Sequence, residues 1–308
     1  MKHFTRQDIL ALPPRQVADA LAAGLAMVSR GAAIAPVRAH VDLGGGAATF
    51  LITGVLTELD LMTVKVINVR PGNAARDLAR LQGSLTVFTA TTGVPLATLD
   101  AQAATEARTA ACSSVSFRLM APRDAPVLTI FGTGPQAAAH LRALSAERDF
   151  EEIRIVGRNP ESATGLAAPH PRARAVDAKT ALRGARAVVT ATNSSRALFP
   201  ADAVEPGTHL MLVGSGSASA TEVEPELLGR AEAIRVDHRE TCLQESGEIV
   251  GALHAGVITT GDVVELGNVV LGGVTGRVRE DAITVYKSVG NGTQDTALAG
   301  LLLGLLAP

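Results

Sequence analysis

The sequence predicts an α/β fold, a doubly wound parallel sheet with an α+β domain beside it, and three observations carry that expectation. Short, wholly apolar strands alternate with helical stretches through the middle of the chain. A glycine-rich turn joins the first of those strands to its helix. The 308 residues, 47% of them hydrophobic and 19% charged, exceed one ordinary core and exclude a disordered chain. With 28 basic against 30 acidic residues, the formal net charge of −2 offers no footprint for nucleic acid or an anionic membrane. The 3% aromatic content argues equally against base-stacking platforms.

The first third reads as α+β. Ile9, Leu10, Val17, Leu21, Leu25 and Met27 recur at near-helical spacing around Pro13-Pro14. Strands are expected over 48–52, 62–67 and 85–88, divided by Gly44-Gly45-Gly46, Pro71-Gly72-Asn73 and Thr92-Gly93-Val94-Pro95. A helix over 101–119 should end at Pro122 and Pro126, which mark the expected domain boundary. Beyond it, 127–131, 153–156, 187–191, 210–213 and 233–236 read as buried strands, with a helix over 135–146. The apolar run Ala297–Pro308 is about a dozen residues, short of the roughly 20 that span a bilayer, and reads as a buried helix.

Cys112 and Cys242 lie far apart without CxxC or Cys/His spacing, so neither a disulfide framework nor a metal site is expected. Met1–Asp8 carries no signal-peptide apolar run, and a cytoplasmic location is the expectation.

The most informative local feature is Ile130-Phe131-Gly132-Thr133-Gly134-Pro135-Gln136-Ala137. It fits G-x-G-x-x-G/A in its Rossmann-type setting, strand before and helix after. The first small residue permits the tight turn, the second lets backbone approach a pyrophosphate, and the third packs helix against strand. Pro135 suits the first helical turn, where a missing N–H costs little. Gly132, Thr133, Gly134, Pro135 and Gln136 are therefore candidate dinucleotide contacts. An NAD site places Asp or Glu at the end of the second strand, where this chain reads Gly157-Arg158-Asn159. Arg158 and Asn159 suit a 2′-phosphate, so NADP(H) is preferred and NAD(H) remains possible. Thr192 and Asn193 are candidates for ribose or adenosine contacts. Ser215 and Ser217 are candidates at the nicotinamide end, with a plain glycine–serine loop as the alternative. His140 is expected on the exposed face of its helix.

With these residues in hand the chain resembles the ornithine cyclodeaminase/mu-crystallin family. The resemblance runs from about Arg38 to Ala299. It rests on Thr63-Val64-Lys65-Val66, Pro71-Gly72-Asn73-Ala74-Ala75-Arg76, Ala107-Arg108-Thr109-Ala110-Ala111, the glycine turn, Pro206–Leu210, Val236-Asp237, Glu245–Glu248, and Tyr286–Gly290 with Asp295-Thr296. It implies a substrate-binding and dimerisation domain over 1–124, with a C-terminal return over 291–308, and a Rossmann domain over 125–290. It also implies a homodimer and a small imino-acid substrate. By position, Arg38, Lys65 and Arg108 match the family's α-carboxylate clamp, and Val289 and Gly290 lie in a segment near the nicotinamide. A guanidinium fork holding a carboxylate beside a C=N bond fixes the reacting face. Lys65 interrupts an apolar strand, so a ligand carboxylate or a protein acid must meet it; it is the expected catalytic residue.

One departure matters. Cyclodeaminases of this family carry an Asp where this chain has Gly216, and no acid follows until Glu222. The resemblance therefore implies NADPH-dependent reduction of a cyclic ketimine acid, Δ1-pyrroline-2-carboxylate or Δ1-piperideine-2-carboxylate, to L-proline or L-pipecolate. Ornithine cyclodeamination, an alanine-type dehydrogenase and NADP-dependent ligand binding without turnover stand as alternatives.

Overall fold

The structure, a computed structural model, describes residues 1–306 apart from the Ala74 side chain. The chain divides into two compact units, Met1–Arg108 with Asn291–Pro308, and Thr109–Gly290. The first break of this division falls inside the helix Ala101–Met120, ahead of the boundary expected at Pro122–Pro126. The prolines end that helix by removing N–H groups, a local effect. Membership of a unit is decided by packing, and a helix can continue from one unit into the next. Of the expected C-terminal return, residues 307 and 308 lie outside the described residues.

Unit 1 holds β1 (Lys2–Phe4), β2 (Ala33–Ile34), β3 (Ala39–Asp42), β4 (Ala48–Leu56), β5 (Leu61–Val69), β6 (Leu81–Thr89) and β7 (Pro95–Asp100). They form one sheet in the order β1-β7-β6-β5-β4-β2, with β3 also on β4; β1 is parallel to β7 and the other pairs are antiparallel. Two helices precede β2, α1 (Arg6–Leu10) and α2 (Pro14–Ser29). In α2 the buried Val17, Leu21 and Leu25 recur every four residues, one stripe of the helix. The last helix, Gly292–Leu302, packs on α2, β4 and β5. Two glycines permit that approach: a Cβ on Gly24 would stand 2.6 Å from the Ala297 Cβ, and one on Gly54 would stand 2.1 Å from the Gly292 carbonyl carbon. The apolar run thus supplies a buried helix only as far as Leu302, and Leu305 is exposed.

Unit 2 holds eight parallel strands: β8 (Val127–Phe131), β9 (Glu152–Val156), β10 (Ala173–Ala175), β11 (Ala187–Thr190), β12 (His209–Leu212), β13 (Ala233–Val236), β14 (Val263–Glu265) and β15 (Thr284–Lys287). Their order is β10-β9-β8-β11-β12-β15-β13-β14. The chain runs from β8 outward through β9 and β10, then restarts on the other side with β11, so the switch point lies beside β8. Every residue of β11, β12, β13 and β15 is buried, which is why the first three read as mainly apolar runs rather than alternating ones, whereas β15, with Thr284, Tyr286 and Lys287, was not read as a strand. Helices between the strands include the long α3 (Ala101–Met120), α4 (Pro135–Glu147), α5 (Pro160–Ala167), α6 (Pro225–Arg230), α7 (Arg239–Glu245), α8 (Gly247–His254) and α9 (Leu266–Val270), and Gly292–Leu302 is α10. The core of unit 2 gathers Val188, Leu210, Leu212, Ile234, Ile249 and Val285. No helix among the described residues is long and apolar enough to cross a membrane.

Candidate functional site

The glycine turn lies at the carboxyl end of β8, at the switch point. Gly132 has φ +124°, and a Cβ there would stand 2.4 Å from the Ala191 carbonyl oxygen at the end of β11. Only glycine fits, on both counts. Gly134 is the extended N-cap of α4, with Pro135 in the first turn, and a Cβ there would meet nothing within 4 Å. Its smallness therefore serves nothing inside the protein and leaves open the space over the α4 N-terminus, where helix N–H groups favour an anion. Gly157, just after β9, lets the Thr133 methyl pack at its Cα, since a Cβ would lie 2.5 Å from Thr133 Cγ2. These features fit a dinucleotide pyrophosphate.

The other dinucleotide candidates divide. Arg158 is exposed beyond β9. Asn159 caps α5, its side-chain oxygen accepting from the Glu161 N–H at 2.8 Å, so that oxygen already has a structural task. Thr192 donates its N–H and hydroxyl to Glu222 Oε1 at 2.8 and 2.7 Å, whereas Asn193 is exposed. The Ser215 hydroxyl donates to the Ala220 carbonyl at 2.6 Å, and Ser217 is exposed in the same loop. Val289 is half-buried; Gly290, with φ +77°, donates its N–H to Asp237 at 2.8 Å. For Thr192 and Ser215 the hydroxyls hold loops together, which sequence could not show because the acceptors are remote or are backbone carbonyls.

His140 corrects an expectation: it is fully buried, not exposed. Its Nδ1 contacts the Gln136 carbonyl at 2.7 Å and its Nε2 the Ser113 hydroxyl at 2.9 Å. It braces the start of α4 from below, and burial lowers its pKa to about 4. His209 is likewise buried, between Ser116 and Thr284, with its pKa lowered to about 3 chiefly by burial.

Sequence reasoning also missed a network of buried charge at the carboxyl ends of β11, β12 and β15. Glu222 accepts from the Thr190 hydroxyl, from Thr192 twice, and from the Gly214 N–H, at 2.7 to 2.8 Å. Its own N–H donates to Glu248, which pairs with Lys287 at 2.8 Å, and Lys287 donates to the Ser215 carbonyl at 2.7 Å. The available signal was a charged residue inside apolar β15 and acids flanking small-residue loops. Among the described residues no group of three or more His, Cys, Asp or Glu gathers to hold a metal.

Unit 1 builds a second constellation. Along β5 the inward face is Leu61, Thr63, Lys65 and Ile67, so two polar residues share the buried face. The α10 helix meets them: Thr63 and Thr296 hydroxyls lie 2.8 Å apart, and Lys65 Nζ is 2.6 Å from Asp295 Oδ2. The protein acid demanded by a buried lysine is Asp295, to which sequence reasoning assigned no role. Lys65 also donates to the Thr105 hydroxyl at 3.3 Å. Arg108, from α3, donates to Gln294, and its Nε is 3.6 Å from Asp295 Oδ1. Arg38 is half-buried, its guanidinium 5.4 Å from the Phe50 ring centre, and its charge acts on Lys65. Unit 1 thus brings Arg108 and Arg38 within electrostatic reach of Lys65.

The charge balance of this constellation is uneven. Lys65, Arg108 and Asp295 are buried and sum to one positive charge, before Arg38 is counted. An ammonium has three protons, and among the described residues Lys65 finds two acceptors. Arg108 Nε is buried without a hydrogen-bond acceptor among those residues. Burial, opposed by Asp295 and reinforced by Arg108, lowers the Lys65 pKa to about 8. Two buried cations share one buried acid, an excess of positive charge that an anion would offset.

The chain is similar to known proteins along most of its length. The model of the ornithine cyclodeaminase/mu-crystallin family matches residues 9–303. A Δ1-pyrroline-2-carboxylate reductase of Bacillus cereus is 30% identical over 277 residues, 87% of this chain and 85% of that protein. The ketimine reductase mu-crystallin of Mus musculus is 28% identical over 304 residues, 96% of this chain and 92% of that one. The solved structure of Thermococcus litoralis Δ1-pyrroline-2-carboxylate reductase in complex with NADH and L-proline covers 100% of both chains with a TM-score of 0.91 and 26% identity. Matched from its first helix to its last, the chain belongs to the ornithine cyclodeaminase/mu-crystallin family.

Proposed function

We propose that the protein is an NADPH-dependent ketimine reductase, converting Δ1-pyrroline-2-carboxylate or Δ1-piperideine-2-carboxylate to L-proline or L-pipecolate. The observation that carries the reading is that Lys65 and Arg108 are buried together beside a single acid, Asp295, and that Arg108 Nε finds no hydrogen-bond acceptor among the described residues. The relatives named for the same reaction support it. In this reading Arg108 and Lys65 grip the substrate carboxylate, with Arg38 adding charge from the half-buried side. Gly132–Gln136 would hold the dinucleotide, whose chemistry would be hydride donation to an imine carbon. Lys65, with a pKa near 8, holds a proton that the imine nitrogen takes up as the amine forms. Orientation and charge supply the rest.

Cyclodeamination is disfavoured by the same geometry. Gly216 offers no carboxylate, and Glu222, the next acid, is buried with its oxygens already accepting four hydrogen bonds. The preference for NADPH rests on exposed Arg158 and on the lack of an acid at the end of β9. A homodimer is proposed through the outer face of the unit 1 sheet, where exposed Leu51 faces Val66 across the β4–β5 pair and Met62 faces Phe88 across β5–β6.

The test is NADPH oxidation, followed by absorbance, with both cyclic imino acids, with pyruvate plus amines, and with ornithine. Turnover with a cyclic imino acid, at a lower Michaelis constant for NADPH than for NADH, is expected. Ammonia release from ornithine without imine reduction would overturn the reading.

A further inference from the structure

Asp295 sits in the first turn of α10, fully buried, and the hydride step proposed above gives it no task. Its carboxylate stands between the two cations of the clamp, 2.6 Å from Lys65 Nζ and 3.6 Å from Arg108 Nε. Those cations come from different elements, β5 and α3, and like charges held in one buried space repel. α10 is fixed against β4 by the Gly54–Gly292 contact and capped by Asn291. Its first turn therefore has little freedom, and the partial positive charge of a helix N-terminus favours an acid there.

We propose that Asp295 is the positioning residue of the carboxylate site, an internal counter-ion that holds Lys65 and Arg108 together so that their remaining donors meet a substrate carboxylate as a pair. This rests on the reading of unit 1 as a carboxylate site. Without ligand the three groups carry one positive charge; a bound carboxylate brings them to zero. Without Asp295 the site carries two cations, and the cheapest relief is for Lys65 to release its proton. The charged groups that face Lys65 among the described residues are Asp295 from α10, Arg108 from α3 and Arg38 from the segment before β3. Of these, Asp295 favours the ammonium and the two arginines oppose it.

The experiment measures binding of pyrrole-2-carboxylate to the full-length protein with NADP+ present, by calorimetry between pH 6 and 10. Wild-type affinity should fall about tenfold per pH unit above about 8, as Lys65 loses its proton. Asp295→Asn should bind at least as tightly as wild type at pH 6, because the site has lost a negative charge. Between pH 6 and 8.5 its affinity should fall about thirtyfold or more, against about fourfold for wild type, its midpoint having moved down by a unit or more. That steeper fall is not produced by a general loosening of the fold, which weakens binding at every pH. Asp295→Glu keeps the charge and should hold the wild-type midpoint, and it serves alone if Asp295→Asn does not fold. A parallel pH dependence in wild type and Asp295→Asn, or a lowered midpoint in Asp295→Glu, overturns the proposal while leaving the carboxylate site standing. A wild-type protein that does not bind the probe overturns both.

Discussion

Substituting the two glycines of the turn separates a residue that the fold requires from one that only a ligand requires. At Gly132 alanine meets two obstacles: φ of +124°, and an oxygen of Ala191 at 2.4 Å from its Cβ. The backbone conformation costs about 1–3 kcal/mol. Pushing back the end of β11 costs about as much again, of the order of an overpacked core. Gly132→Ala should therefore lose roughly 2–6 kcal/mol, a large part of a typical domain's stability. At Gly134 the backbone is extended with φ −87°, and the new Cβ meets nothing within 4 Å. Stability should change by at most about 1 kcal/mol, the scale of an altered N-cap. The methyl would instead occupy the space in which a pyrophosphate approaches the α4 N–H groups. Losing one charge-assisted hydrogen bond of about 1.5–3 kcal/mol weakens dinucleotide binding roughly 10- to 100-fold. The assays are urea melts for stability and NADPH titration for affinity. Gly134→Ala with wild-type affinity, or Gly132→Ala with wild-type stability, refutes the assignment of these roles.

Three further outcomes follow from the same geometry. Arg108→Ala removes a clamp worth about 3 kcal/mol and should lower kcat/KM for the imino acid by roughly two orders of magnitude with little effect on NADPH binding; unchanged turnover in a folded variant removes Arg108 from the site. His140 and His209 titrate in the fold at about 4 and about 3, against 6.5 when exposed, so the unfolded chain takes up protons first as pH falls. Their contribution is present above about pH 6.5 and lost below it, by about 2 kcal/mol each at pH 5. Urea melts of wild type and His140→Gln at pH 7 and 5 should differ in pH dependence by that amount; equal slopes contradict it. Arg158→Asp should raise the Michaelis constant for NADPH about tenfold or more and lower that for NADH, measured in the reductase assay; no change in their ratio argues against Arg158 as the 2′-phosphate contact.

Several elements were legible in the residues because their cause is local. Gly132 and Gly134 could be read because a strand-to-helix turn over phosphates needs small residues at fixed spacing. Five strands of unit 2, β8, β9, β11, β12 and β13, were visible as apolar runs because both faces of a parallel sheet are covered. Lys65 stood out because a charge in an apolar strand needs an explanation. The hydroxyls of Thr192 and Ser215 could not be read in this way. Each looked available from sequence, yet one is held by Glu222, thirty residues on, and the other by a backbone carbonyl.

Residue type and near-neighbour spacing were enough for the two kinds of architecture, the dinucleotide turn and the buried charge of Lys65, while Arg38 and Arg108 were picked out by their match to the family's pattern. Packing in three dimensions was needed to divide the units inside α3, to bury His140, and to bring Asp295 to Lys65 as its acid. The reason is separation along the chain. Lys65 and Asp295 lie on β5 and α10, and what joins them is the close packing of that last helix on the sheet at Gly54 and Gly292, a contact that no local pattern encodes.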